Sequence, residues 1–379
     1  MQAQETPLAL RSRNTSTLKR VASGDSGGGD GDNERLLLGH NISVNSEDRE
    51  NLGCGVDEEQ AYVERNPNGN KARQLWQKVK KKYELLDYHL VPEYLQDNEF
   101  VLRHYRSDWP IWDSLLSIFS LHNETLNIWT HLIGFLIFLA LTIDTMWDVP
   151  RLEQLFENLS RAQHMKQEAG DTVLNLTEPV TRWPFFVFMG GSMFCLLSST
   201  FCHLLNCHSS SLTYWLLRLD YAGIGIMIAT SFFPPIYYVF LCQPAWRHFY
   251  LTSISVIGIA TVIISLIPVF QTAKYRAVRG LAFAGMGLSG IIPGAHALIN
   301  FYQEPYCLQT LVYELGMAFF YLVGVAIYVT RIPERWWPGL FDIAGQSHQI
   351  FHVLVVAGAF THYKGGLIFL EWRDKSGCL

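Results

Sequence analysis

The sequence predicts an all-α membrane protein: a seven-transmembrane helix bundle with a cytosolic N-terminus and an exterior C-terminus. Three observations carry this. Seven apolar runs of about 20 residues follow one another between residues 127 and 370. At ~1.5 Å rise per residue each is long enough to cross the ~30 Å hydrocarbon core. Runs of that length are far too long for barrel strands, and only helices or closed barrels satisfy the backbone in lipid. Basic residues, finally, fall unequally on the two sides of the predicted spans.

Residues 1–70 read as a disordered acidic cytosolic tail. They are rich in Gly, Ser, Asp and Asn, with SGDSGGGDGDNE at their centre and twelve acidic residues. Such a segment buries too little apolar surface to offset the entropy of ordering. It also accounts for much of the acidic charge, so the net charge of −5 says little about the membrane body. The first 35 residues carry Arg11, Arg13, Lys19 and Arg20 but no apolar run of a secretory signal. Residues 71–126 read as a cytosolic membrane-proximal helical region, opening on KARQLWQKVKKKY with six Lys or Arg.

The seven-helix domain covers 127–370. Its expected spans are Asn127–Trp147, Trp183–Leu205, Leu212–Phe233, Arg247–Phe270, Gly280–Phe301, Thr310–Arg331 and Gly345–Leu370, the last ending near Tyr363. Residues 371–379 are expected to form an exterior tail. Lys274, Arg276 and Arg279 lie between spans 4 and 5, and Arg331 and Arg335 between spans 6 and 7. The loops on the other side are poorer in basic residues: FYQEPYC has none, and the long 1–2 loop has more acidic than basic side chains. The positive-inside bias therefore puts the N-terminus in the cytosol.

With that orientation, ionisable residues from three spans fall at one depth. His203 ends span 2 in SSTFCHLL, Asp220 lies about two turns into span 3 in WLLRLDYAG, and His348 and His352 open span 7 in SHQIFH. Intramembrane ionisable residues are costly and point to a site. Three imidazoles form an open zinc shell, with His348 and His352 one helical turn apart and His203 from another element. The H-Q-I-F-H pattern lacks the Glu of H-E-x-x-H, so the helix brings no general base. Asp220 is the carboxylate at that depth and is assigned to an attacking water. Ser199, four residues before His203, is placed to hydrogen-bond a neighbouring group or a substrate oxygen. On spacing alone the alternative stands that these histidines make interhelical hydrogen bonds, as expected for His131 and His296. In CHLLNCH, Cys202, Cys207 and His208 lack the partners for a four-ligand site, and a structural thiol role is expected. Seven cysteines without a C-x-x-C pair argue neither a disulfide framework nor a zinc ribbon.

The blocks LDYHLVPEYLQDNEFVLRHYR, LHNETLNIWTHLIGF, SSTFCHLLNCHS, LDYAGIGIMI and SHQIFHVLVV, in this order and spacing, resemble the progestin and adipoQ receptor family over about residues 83–372. With the ending LEWRDKSGC, the chain looks most like the plant heptahelical, adiponectin-receptor-like branch. The resemblance implies seven helices, a cytosolic N-terminus and Zn2+ held by three histidines near the cytosolic face. Its S-x-x-x-H matches Ser199 and His203, its span 3 Asp matches Asp220, and its paired span 7 histidines match His348 and His352. It also implies a role in hormone or abiotic-stress signalling, with a hormone or protein ligand of unknown identity. The alternative it implies is a zinc-dependent intramembrane lipid amide hydrolase acting on a ceramide-like substrate. Membrane lipids are expected partners, in the plasma membrane or an endomembrane. No nucleotide loop and no nucleic-acid motif is present, so no nucleic-acid partner is expected.

Weaker features are LKRVAS, a basic-directed kinase pattern around Ser23, and the sequons at Asn158 and Asn175 in the expected exterior loop. The Lys71–Lys82 run is read equally as a contact with anionic lipid or as a solvated helix face.

Overall fold

A computed structural model describes residues 83–168 and 180–378. The acidic tail, Ser23, the Lys71–Lys82 run and Asn175 lie outside those residues. Seven helices are long and apolar enough to cross a bilayer. A short helix, α1 (Ile111–Leu116), precedes them. The first span opens α2 (Thr125–Glu168), the second is α3 (Trp183–Leu205), and the third is α4 (Ser210–Ser231) continued by the short α5 (Phe233–Val239). The fourth is α6 (Pro244–Ser265), the fifth is α7 (Arg276–Leu288) with α8 (Ile291–Phe301), the sixth α9 (Pro305–Thr330) and the seventh α10 (Ser347–Ser376). No β-strand occurs among the described residues, only a single bridge between Leu86 and Tyr105.

Local sequence fixes most of the ends. Proline stands in the first turn of α3, α5, α6 and α9, where its missing N–H is no loss. The Ser209 side chain accepts from Leu212 N at the start of α4. Gln346 and Gln349 form a reciprocal cap at the start of α10. Arg331, in the left-handed region with φ 56°, ends α9.

Several expectations are corrected. The described part of 71–126 is mostly irregular, with one six-residue α-helix and isolated 3-10 turns. Pro92 and Pro110 interrupt it, and His104 and Asp108 take positive φ. The first span ends at Trp147 as expected, but its helix runs on to Glu168 through a stretch rich in Leu, Glu and Gln, so Asn158 lies on a helix and not in a loop. Helix α10 passes Tyr363 and ends at Ser376, leaving little of the expected tail. Its late charges have partners: Arg182 pairs with Asp374 at 2.6 Å, and Arg373 donates to the carbonyls of Tyr238 and Val239. Cys242 and Cys378, 136 residues apart, form a disulfide at this end, which no local motif announces. The fifth span is broken at Ser289–Gly290, just before Pro293, whose ring and missing N–H disfavour an unbroken helix.

Two layers position the site. In the half of the bundle away from it, Phe138, Phe185, Phe188, Leu196, Tyr238 and Tyr363 form the apolar core that locks α2, α3, α5 and α10 together. At the other end, residues 83–124 form a cap. Leu102 N donates to Asp342 Oδ1 at 2.8 Å, Asn98 Nδ2 to Glu334 Oε1 at 3.1 Å, and Gly339 N to Phe100 O at 3.0 Å. The cap is thereby tied to the connection that leads into α10.

Candidate metal centre

His203 stands in the last turn of α3, and His348 and His352 in the first turns of α10. One ring nitrogen from each lies within 4.8 Å of the other two. The rings form a near-equilateral triangle, with centroids 4.9 Å apart for His203–His348, 5.0 Å for His203–His352 and 4.7 Å for His348–His352. The sequence expectation that these three side chains meet is met by the geometry.

The far side of two rings is occupied. His203 Nδ1 lies 2.8 Å from Glu124 Oε2, and His352 Nδ1 lies 3.1 Å from the carbonyl of Asn127. In a neutral ring an Nδ1–H donated outward leaves Nε2 as the lone-pair nitrogen. His203 Nε2 is buried and has no hydrogen-bond partner. A buried polar atom left unpaired costs about 1–3 kcal/mol, a cost that a cation at the point shared by the three rings would remove. Zinc takes nitrogen donors at ~2.0–2.1 Å, which asks donors to lie within roughly 4 Å of one another. The three are close enough for small ring rotations to reach this. The donor set, all imidazole with room for another ligand, suits zinc.

Asp220, on α4, is buried within electrostatic reach of His203, and the buried Ser199 hydroxyl sits beside its carboxylate. Both line the same cavity as the three histidines. Its volume is about 1110 Å³, and its walls are mostly apolar as it runs past Tyr321 to Phe301 and Trp372. The arrangement sets a polar, metal-competent end on a hydrophobic chamber of a size suited to a lipid chain.

Two residues at the site, Glu124 and Arg106, escaped the sequence reading, and a third, His131, plays another part than expected. Glu124 was unremarked within LHNETLN. Burial opposes its charge, but the His203 ring and the Asn127 amide outweigh this and hold it well below the ordinary carboxylate range. Arg106, buried in the cap, donates to the carbonyls of His203 at 2.8 Å and Leu204 at 3.0 Å. His131, expected to make an interhelical hydrogen bond, instead stacks on His352 with centroids 3.6 Å apart and neither nitrogen bonded. The available signal was the i, i+3, i+7 spacing of Glu124, Asn127 and His131, which puts them on one face of a helix. His296 does bond between helices, to Tyr250 Oη at 3.0 Å. Cys202 and Cys207 are buried free thiols, Cys207 against Ser114 Oγ, and His208 Nδ1 bonds the Trp109 carbonyl at 2.8 Å. These are structural roles.

A family profile described as "Haemolysin-III related" matches residues 119–363. Heptahelical transmembrane protein 4 of Arabidopsis thaliana is 48% identical over 361 residues, covering 81% of this chain and 93% of its own. Heptahelical transmembrane protein ADIPOR3 of Oryza sativa subsp. japonica is 44% identical over 376 residues, covering 79% and 93%. Progestin and adipoQ receptor-like protein 1 of Caenorhabditis elegans is 38% identical over 286 residues, covering 75% of this chain and 60% of its own. The profile match contains all three clustered histidines together with Ser199 and Asp220, and the relatives align over most of the chain. The chain is thus an integral multi-pass membrane protein of the haemolysin-III-related, progestin and adipoQ receptor family, similar to the plant heptahelical, adiponectin-receptor-like proteins.

Proposed function

We propose that this heptahelical protein holds Zn2+ at His203, His348 and His352 and acts in hormone or abiotic-stress signalling. The observation that carries the reading is the convergence of three buried or half-buried imidazoles, one with an unpartnered nitrogen, at one end of a large apolar cavity. We further infer that this end faces the cytosol. The basic loops support that orientation, and so does the Cys242–Cys378 disulfide at the opposite end, since disulfides persist in oxidising compartments.

A second reading, lipid amide hydrolysis, draws on Asp220 and Ser199 lining the same cavity as the histidines. Zinc, when bound, would supply Lewis-acid polarisation of a carbonyl and a lowered pKa for water. In that reading Asp220 accepts and holds the proton of the attacking water, and the Ser199 hydroxyl beside it donates to a substrate oxygen. The apolar cavity receives the lipid chain and keeps bulk water away from the reacting carbonyl.

Metal content of the purified protein, measured with its products from ceramides, tests both. Near-stoichiometric zinc with chelator-sensitive hydrolysis supports the hydrolase. Zinc without hydrolysis supports the receptor reading, and absence of zinc contradicts both.

A further inference from the structure

Helix α2 turns a polar face toward the histidine triangle, and each member of that face touches a histidine. Glu124, just before the helix, meets the His203 ring at 2.8 Å. The Asn127 carbonyl meets the His352 ring at 3.1 Å. His131 stacks on His352. The carboxylate is itself held: Asn127 Nδ2 donates to Glu124 Oε2 at 2.6 Å and Asn206 Nδ2 to Oε1 at 3.4 Å. Its backbone is fixed by the donation of Glu124 N to His122 Nδ1 at 3.1 Å. From the opposite side Arg106 grips the His203 carbonyl at 2.8 Å. His203 is thus clamped at both ring and backbone by residues of the cap and the α2 entry.

A bond that served only to join α2 and α3 would leave nothing outstanding. Here it leaves His203 Nε2 buried and unpaired, a net cost unless that nitrogen has a ligand. A carboxylate on the outer nitrogen of a metal-ligating imidazole fixes its tautomer and orientation and raises its basicity.

Resting on the metal reading above, we propose that Glu124 is a positioning residue for the metal centre. Its carboxylate, aligned by Asn127, sets the His203 ring so that Nε2 is the donor nitrogen offered to the point shared with His348 and His352.

The test uses full-length Glu124→Gln, Glu124→Asp and Asn206→Ala. Zinc affinity is read by competition with a chelator, and ligand geometry by the visible bands of the cobalt-substituted protein. Glu124→Gln is expected to bind zinc roughly 10–100-fold more weakly and to shift the cobalt bands. Asn206→Ala, which removes the longer of the two hydrogen bonds to the carboxylate and leaves Asn127 to align it, is expected to weaken zinc binding less than Glu124→Gln. Should Glu124→Gln fail to fold, Glu124→Asp, which keeps the charge but is one methylene too short to reach, gives the same readout. Parental zinc affinity and cobalt bands in a folded Glu124 variant would overturn this inference alone. A parent protein that binds no zinc would overturn the metal reading and this inference with it.

Discussion

Gly223 on α4 is the tightest point of contact that bears on Asp220. A Cβ there would lie 2.6 Å from Ser198 Oγ and 3.0 Å from the Cα of Cys195 on α3. Carbon atoms in contact prefer ~3.5–4.0 Å. The Ser198 hydroxyl can rotate away, but the Cys195 Cα is backbone, so Gly223→Ala must separate α3 from α4 by roughly half an ångström or more. Overpacking of this kind costs about 1–3 kcal/mol, which at this chain length corresponds to a fall in Tm of roughly 1–4 °C. Asp220 lies one turn away on α4 and moves with it, whereas the three histidines lie on α3 and α10. Gly223→Ala is therefore expected to lower the melting temperature while keeping zinc. Any output that needs Asp220 close to His203 should fall by as much as ~100-fold, the typical cost of a 1 Å misplacement. Gly190→Ala, whose added carbon meets nothing within 4 Å, is the control. Thermal melts and metal analysis of the two variants in detergent provide the assay. A Gly223→Ala protein as stable as Gly190→Ala would refute the close-packing argument, and loss of its zinc would refute the assignment of ligands to α3 and α10 alone.

Asp220→Asn should keep zinc and lose hydrolysis or signalling output; loss of zinc would make Asp220 a ligand and the three-histidine shell wrong. Reduction, or Cys242→Ser, should lower stability by about 2–4 kcal/mol because the bridge closes a long loop, without emptying a site at the other end of the bundle. Equal melts with and without reductant would contradict this. His122, in the cap, is pushed by burial and by Arg106 down to about 3, so it stays neutral in the fold while the unfolded residue takes up a proton below about pH 6.5. The unfolded chain then binds more protons as pH falls from 6.5 toward 3, and stability falls with it, by ~2 kcal/mol at pH 5 from this group. Melts at pH 7 and pH 5 should show a smaller loss in His122→Asn than in the parent, and equal losses would refute the assignment.

The spans were legible because length and apolarity are local properties. Trp183–Leu205 was bounded by Trp183 and Pro184 on one side and a polar loop on the other, and its limits were found as expected. The paired histidines were legible from helical spacing, and their meeting with His203 from the charge bias that set the depth of each span. What stayed hidden depends on contacts between distant residues. Glu124 reads as one more acid in a charged approach to the membrane until it is seen against His203, 79 positions away. The end of α10 was misjudged because Arg373 and Asp374 look like a solvated tail, yet their partners, the carbonyls of α5 and Arg182 at the start of α3, are distant in sequence. His131 was expected to hydrogen-bond between helices, yet neither of its nitrogens is bonded. Its stacking on His352 follows only from how α2 and α10 pack, which no spacing rule contains.

The central claim is that His203, His348 and His352 share one zinc. Elemental analysis of the purified parent and of His203→Ala, His348→Ala, His352→Ala and His296→Ala tests it most directly. The parent and His296→Ala, whose ring is bonded to Tyr250, should carry near-stoichiometric zinc. Each of the other three should have lost it or hold it weakly, and should melt lower because metal binding is coupled to folding. Near-stoichiometric zinc in both His348→Ala and His352→Ala would contradict the account and return the pair to interhelical packing.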